Sequence, residues 1–173
     1  MQKDNANLFQ NDGVSFFLDT FYDRRNGVGF MIGPIGGRTD GQITDERWNR
    51  DWNTIWDLKT VSFEGGWTAE AAIPFKSLRY RPGRAQIWGF NARRIDRWKN
   101  EISHLVPIPR TQSSTSGLWR ASMAATMVGL EAPAGSKNLD VKPYAISNLV
   151  TDRAATPRVS NHFDPDFGID AKY

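Results

Sequence analysis

Hydrophobic and polar residues alternate with a period of two along much of this chain, which is the pattern of half-buried strands. The clearest run places Trp67, Ala69, Ala71, Ile73 and Phe75 on one side and polar or small residues on the other. Further runs rich in β-branched and aromatic residues lie at 13–21, 27–32, 55–63 and 87–95. Turn sequences with Gly, Pro and Asn separate them, so the sequence predicts an all-β fold, an antiparallel β-sandwich.

The signal for helices is weak. Trp48, Trp52 and Trp56 have a helical spacing of four, yet the same spacing also puts all three on one strand face. Asn and Asp between them favour turns, so we expect a loop here that leads into the strand at Ile55. A single helical turn is expected at 76–80.

The second half of the chain changes in composition. Residues 107–117 read as a surface loop, 121–130 as the last strand of the sandwich and 131–138 as a linker. Strands are predicted at 139–150 and 167–173, and the chain ends inside an alternating pattern, as expected of a fragment or a truncated gene product. We therefore expect a partial sandwich over 1–130 and the first strands of another region over 139–173.

Composition narrows the classes of function. With 173 residues the chain is long enough for its own core, and with no cysteine it has no disulfide, thiolate metal site or cysteine nucleophile. Two histidines offer little for a histidine metal site or triad. The net charge is only +3, and the arginines are scattered among acidic residues, so nucleic acid is not an expected partner. No long apolar run or signal peptide is seen.

Three phrases taken in order resemble a known family: NDGVSFFLDTFYDRRNGVGF at 11–30, GWTAEAAIPFKSLRY at 66–80 and IWGFNARRIDRWKNE at 87–101. They are similar to the carbohydrate-binding module family 9-like domain. In the version that they resemble, this domain forms the N-terminal end of large bacterial outer-membrane proteins, and the rest of the chain resembles a β-barrel. The resemblance covers about residues 8–130. It implies a jelly-roll-like sandwich, polysaccharide such as xylan as the partner, and a role in carbohydrate catabolism beside glycoside hydrolases. It also implies a place in the cell envelope, at the outer membrane or its extracellular face, with 139–173 as the first strands of a truncated barrel-like region.

The resemblance also implies a sugar site and missing strands. The resemblance implies that members which bind sugar hold it between two tryptophans, helped by a Glu and an Arg. The two tryptophan positions fall here at Phe9 and Trp119, the Glu position at Ser15 and the Arg position at Met31. Family members also begin with further strands upstream, so one sheet is expected to be incomplete, with exposed core.

Rings that cover the apolar face of a sugar, together with planar polar groups, are the usual carbohydrate contacts. We therefore take as candidate binding residues Phe9, Trp48, Trp52, Asn91, Arg93 and Trp119. Each has an ordinary alternative, because the rings can fill the core and the polar residues can form cross-strand pairs on a water-facing strand surface.

A calcium site is the only cofactor that the sequence raises. Asp19 and Asp23 in the DTFYDRR turn have the oxygen ligands that Ca²⁺ accepts, but Asp in such a turn also caps backbone amides or pairs with Arg. No other cofactor is expected.

The predicted function is a non-catalytic carbohydrate-binding module, since no second carboxyl group is paired by spacing with Glu70, the most conspicuous candidate acid. The alternative is a structural or interaction domain of an outer-membrane barrel protein that has lost sugar binding. Phe9, Ser15 and Met31 favour that alternative, because they replace the tryptophan, Glu and Arg of the clamp.

Overall fold

The structure is a computed structural model that describes residues 8–112, 116–133, 140–152, 154, 156–157 and 159–172. The chain divides into two compact units, Met1–Gly135 and Ser136–Tyr173. The predicted linker at 131–138 lies mostly outside the described residues.

Within the described residues, all regular structure apart from four short 3-10 turns is strand. The strands of the first unit are β1 Gly13–Asp19, β2 Asn26–Ile32, β3 Arg38–Thr44, β4 Arg47–Asn49, β5 Asp57–Phe63, β6 Gly66–Ala72, β7 Ala85–Asp96, β8 Glu101–His104 and β9 Ala125–Glu131. Those of the second unit are β10 Asp140–Asp152 and β11 Val159–Lys172. The 3-10 turns are Leu8–Gln10, Phe75–Ser77, Gly117–Trp119 and Ala121–Met123. The all-β prediction is confirmed.

The first unit is built around one antiparallel seven-stranded sheet in the order β4-β3-β2-β1-β7-β8, and β9 pairs with the free half of β7. A second sheet contains β5 and β6. The long β7 lies against β1 along one edge and against β8 and β9 in turn along the other. This sandwich-like arrangement gives the large sheet two covered faces.

The two faces hold separate apolar clusters because successive side chains of a strand point to opposite sides. One face, here called face A, carries Phe17, Met31 and Ile43, and the 3-10 turns that contain Leu8 and Leu118 cover it. The opposite face, face B, carries Leu18, Phe30, Ile32 and Trp88. The second sheet packs on face B through Leu58 in the same cluster.

Trp56 anchors the cover of face B. Its indole N–H donates to the carboxylate of buried Asp40 at 3.0 Å, and its ring meets that of Phe30 edge-on with centroids 5.1 Å apart. The other Asp40 oxygen accepts the backbone N–H of Thr54 at 2.8 Å, and Arg38 donates to the Trp56 carbonyl at 2.6 Å. A carboxylate on β3 therefore fixes the segment that leads into β5.

Several local predictions were wrong. The sequence pattern does not predict β3, β4 or β8, and the loop expected to lead into the strand at Ile55 includes Trp48, which lies in β4. The last strand of the sandwich begins at Ala125, after a 3-10 turn, rather than at Ala121. In β6, Ala69 and Ala71 are exposed, since only the Trp67 end of that strand packs against the face B cluster.

The second unit is a hairpin of β10 and β11, longer than predicted. β11 was predicted from residue 167, but it begins at Val159. The two strands pair in register from Asp140↔Lys172 to Val150↔His162, and a bulge follows before Asp152.

We expect Asp40→Ala to lower the free energy of unfolding by about 2–4 kcal/mol, because it leaves the Trp56 indole and the Thr54 amide without their acceptor. Urea unfolding followed by tryptophan fluorescence measures this. The control is Glu131→Gln, which breaks the exposed Arg84–Glu131 pair at 2.9 Å and should cost at most about 1 kcal/mol. Equal losses in the two variants would contradict the anchoring role of Asp40.

Candidate functional site

A row of side chains on face A connects five strands. The register places Thr39, Met31, Ser15, Arg93 and His104 side by side across β3, β2, β1, β7 and β8. Two of the four positions that the resemblance assigns to the sugar clamp, Ser15 and Met31, are thus direct neighbours, and both are buried.

The next row provides a floor for two tryptophan rings. Gly41 of β3 and Gly29 of β2 are cross-strand partners, and Gly29 also faces Phe17 of β1. A Cβ added at Gly29 would come within 2.5 Å of both Trp48 and Trp119, and one at Gly41 would meet Trp48 at 2.4 Å. Glycine at both places therefore lets the rings lie directly on the backbone.

Trp48 and Trp119 pack against each other above this floor, with centroids 4.5 Å apart and ring planes tilted by 47°. Trp48 comes from β4 and remains half-buried, whereas Trp119 comes from the 3-10 turn Gly117–Trp119 and is 5% exposed. A short edge strand and a loop turn thus bring together two rings that are 71 positions apart in the sequence.

Arg93 is stacked beneath the aromatic layer. Its guanidinium carbon lies 5.3 Å from the centroid of Phe9 and 5.7 Å from that of Trp119, and one Nη donates to Ser15 Oγ at 3.4 Å. Only 1% of the residue is exposed. Burial, helped by the nearby positive charge of Arg97, lowers the pKa of Arg93 to about 10, so the side chain is still a cation at neutral pH.

Phe9 is held over Arg93 by its backbone. The guanidinium of Arg97 donates to the Phe9 carbonyl, and the backbone N–H of Arg97 donates to Asp12 Oδ1 at 2.6 Å. The turn after β7 therefore fixes the chain that enters β1, and the Phe9 ring remains half-buried.

Five of the candidate binding residues thus meet on face A: Phe9, Trp48, Asn91, Arg93 and Trp119. Trp52 does not, because it packs on face B with its ring 6.3 Å from Phe30. Asn91 and Arg93 do not form a water-facing strand surface as the cross-strand alternative required. Both are buried, since the aromatic turns cover this face of β7.

Two donors on face A are not used by the described part of the chain. Trp48 Nε1 and Asn91 Nδ2 are both buried, and neither has an acceptor within the ranges that the structure describes. The amide oxygen of Asn91 accepts the backbone N–H of Ala92 at 2.9 Å. Face A therefore contains buried N–H groups that the described residues leave without an acceptor.

The aspartates that the sequence offered for Ca²⁺ bind backbone amides. Buried Asp19 accepts the N–H of Asp23 at 3.1 Å and that of Arg24 at 2.8 Å. Asp23 accepts the amides of Arg25 and Asn26, both at 2.8 Å. Among the described residues no group of three or more His, Cys, Asp or Glu side chains could hold a metal ion.

These two carboxyl groups are tuned in opposite directions. Burial raises the pKa of Asp19, although hydrogen bonds from the backbone amides of Arg24 and Asp23 oppose the rise. Burial would also raise the pKa of Asp23, but hydrogen bonds from the Asn26 side chain and from the backbone outweigh it and lower the pKa.

One accessible ring was not among the predicted residues. Trp98, in the turn between β7 and β8, is 94% exposed and is the only exposed tryptophan of the seven, all of which lie in the described part. The turn is fixed by the Asn100 amide on the Arg97 carbonyl at 3.2 Å and by the Lys99 amide on Asp96 at 3.1 Å. Its sequence, RWKN between two strands, was a usable signal for an exposed hairpin tip.

Comparisons with protein-family models, curated proteins and solved structures found no match. Within the described residues, none of the helical segments has the length and apolar character needed to cross a bilayer.

We expect Gly29→Ala to lower the free energy of unfolding by about 1–3 kcal/mol and to shift tryptophan emission, because the new methyl group displaces Trp48 and Trp119 from the sheet. Chemical unfolding and fluorescence spectra measure both effects. Gly66→Ala is the matched control, since its Cβ would meet only the exposed ring of Phe63, at 3.2 Å. A Gly29→Ala protein as stable as the control would show that the rings do not rest on the glycine floor.

The raised pKa of Asp19 predicts a pH dependence of stability. The native carboxyl group binds its proton more tightly than the unfolded one, whose pKa is 3.8, so stability falls as pH rises from there to the native pKa and is level above it. Unfolding free energies of the unmodified protein and of Asp19→Asn are measured across this range. As pH rises, the unmodified protein should lose stability relative to Asp19→Asn. A difference that stays constant or moves the other way would contradict the assignment.

Proposed function

We propose that face A is a carbohydrate-contacting surface and that the protein is a non-catalytic binding module. The observation that carries the proposal is the meeting of Phe9, Trp48, Trp119, Asn91 and Arg93 on one sheet face, although they come from four separate parts of the sequence.

The grouped side chains have the chemistry that a glycan needs. Phe9 and Trp48 are half-buried rings at the outside of the cluster, so part of each ring is open to stacking on the C–H face of a sugar. Trp48 Nε1 and Asn91 Nδ2 are donors of the type that bind hydroxyl oxygens, but both atoms are buried, so the proposed contact rests on the exposed parts of the rings. Polysaccharides such as xylan are the substrate class that the resemblance implies.

The proposed role is to bind a glycan without cleaving its glycosidic bonds. Glycoside hydrolysis needs two carboxyl groups across a cleft, whereas the side chains that carry this proposal are rings, an amide and a guanidinium. The role follows that of modules attached to glycoside hydrolases, with weak affinity at a shallow site.

A second candidate function is favoured by burial. Trp119, Ser15 and Met31 are each no more than 5% exposed, so three of the four clamp positions are occupied in packing. This supports a structural or interaction domain of an envelope protein, which keeps the sandwich and uses the former pocket as core.

Calorimetric titration of the protein with soluble fragments of xylan, cellulose and β-glucan separates the two candidates. We expect binding that is lost in Trp48→Ala and largely restored in Trp48→Phe, because stacking needs a ring there. The matched control is Trp52→Ala, which removes another half-buried tryptophan from face B and should leave affinity within about twofold.

Circular dichroism of each variant keeps the result interpretable, because a folded Trp48→Ala protein excludes loss of binding through unfolding. Equal losses in the Trp48 and Trp52 variants would contradict the assignment to face A. The absence of a heat signal with every glycan in the unmodified protein would favour the interaction domain.

A further inference from the structure

An ion pair lies beside the two tryptophan rings of face A. Nη2 of Arg120 is 3.5 Å from Oε2 of Glu46. Arg120 directly follows Trp119 in the sequence, and Glu46 comes two positions before Trp48. The same two segments of the chain are therefore joined twice, once by the rings, whose centroids are 4.5 Å apart, and once by this pair of charges.

Glu46 belongs to the two-residue turn between β3 and β4. The turn is tight, because Thr44 and Arg47 on either side of it are register partners. Asp45 and Glu46 both have positive φ, 48° and 65°, as the usual two-residue hairpin turn requires. Glycine or asparagine adopts this backbone conformation with less strain, so a glutamate at position 46 does not serve the turn itself. Its carboxylate serves what it contacts.

The other residue of this turn is paired with a different part of the chain. Asp45 Oδ1 accepts hydrogen bonds from Arg25, at 3.1 Å from Nε and 2.8 Å from Nη2. Arg25 precedes β2, so this pair joins two neighbouring hairpin turns. One turn thus carries two acidic side chains in exposed ion pairs, and only that of Glu46 lies with the segment that carries Trp119.

The Glu46–Arg120 pair keeps most of its hydrogen-bonding groups for other contacts. At 3.5 Å the two charges attract, but the distance is longer than the roughly 2.9 Å of a good N–H···O hydrogen bond. Among the described residues neither side chain forms a hydrogen bond, and Arg120 Nε is buried without an acceptor. The pair is also partly open, since 44% of the Glu46 side chain and 29% of the Arg120 side chain are exposed.

This pair supplies the accessible polar groups that the rest of face A lacks. A carboxylate accepts hydrogen bonds from hydroxyl groups, and a guanidinium donates to hydroxyl oxygens. Both groups are planar and can bind two neighbouring hydroxyls of one sugar ring. A sugar stacked on the open part of Trp48 would have its hydroxyl edge beside them, because the pair joins the segments that carry the two rings.

We propose that Glu46 and Arg120 are the polar contacts of face A and bind adjacent hydroxyl groups of a neutral sugar unit stacked on Trp48. The inference rests on the proposed carbohydrate function, and it adds polar residues to which the sequence alone does not point. Because the pair has no net charge, it suits a neutral glycan such as xylan or β-glucan better than a glycan that carries carboxylates.

Calorimetric titration of the full chain with short neutral fragments of xylan and cellulose tests the inference. We expect Glu46→Gln and Arg120→Gln each to weaken binding by about fivefold or more, because each removes charge-assisted hydrogen bonds. Arg120→Lys should weaken it similarly, since an ammonium group lacks the planar fork that spans two hydroxyls.

Asp45→Asn is the matched control, because it breaks the other exposed ion pair of the same turn. It should leave affinity within about twofold. Urea unfolding of all four variants should be nearly unchanged, since exposed ion pairs contribute little to stability. Equal weakening by Glu46→Gln and Asp45→Asn would show a disturbed turn rather than a lost contact, and would overturn the inference.

The outcomes also separate this inference from the function on which it rests. If Trp48→Ala abolishes binding but the Glu46 and Arg120 variants keep it, face A remains the sugar surface and the assigned polar contacts are overturned. If no glycan binds, or if Trp48→Ala has no effect, the proposed function is overturned and this inference with it. Tighter binding of oligogalacturonate than of the neutral fragments would overturn the assignment to a neutral sugar.

Discussion

The contact on which face A depends is that between two tryptophan rings and the bare backbone of the sheet. Gly29 and Gly41 face each other on neighbouring strands, so Trp48 and Trp119 can approach where any other residue would hold them off. The rings in turn cover Phe17 and Ile43 in the same cluster. A side chain in place of either glycine would push the aromatic rings away from the sheet, and the turns that cover this face would lose their contact with it.

That aromatic layer also accounts for a buried cation. Arg93 is almost fully shielded from water, yet the rings of Phe9 and Trp119 lie over its guanidinium and Ser15 accepts one of its N–H groups. Cation–π attraction strengthens when water is excluded, so the rings offset part of the desolvation cost that lowers the pKa of Arg93. Phe9 therefore belongs to both sets of rings, because it is half-buried like Trp48 and lies over the arginine like Trp119.

The sequence predicts the strands whose side chains alternate in polarity, and it misses those whose burial has another cause. β1, β2, β5 and β7 carry β-branched and aromatic residues in runs. β3, RTDGQIT, is mostly polar because two of its three buried positions are Asp40, bonded to Trp56, and Gly41, beneath Trp48. A buried carboxylate with its partner 16 residues away has no signature in a hydrophobicity pattern. Residue chemistry points to the candidate site, but it does not predict that the site is buried. The turn that carries Trp119 follows a polar loop, and its sequence is typical of a solvent-exposed segment.

The same reasoning separates the two halves of the chain. Most apolar positions of the large sheet lie under turns or under the second sheet, although Ile87 and Val128 are exposed. The sheet tolerates the buried Asp40 because Trp56 and Thr54 donate to its carboxylate. The hairpin of β10 and β11 has the more regular alternation and the less covered apolar face. Phe167 and Ile169 on that face are exposed, so regular alternation in a ribbon of two strands does not by itself make a core.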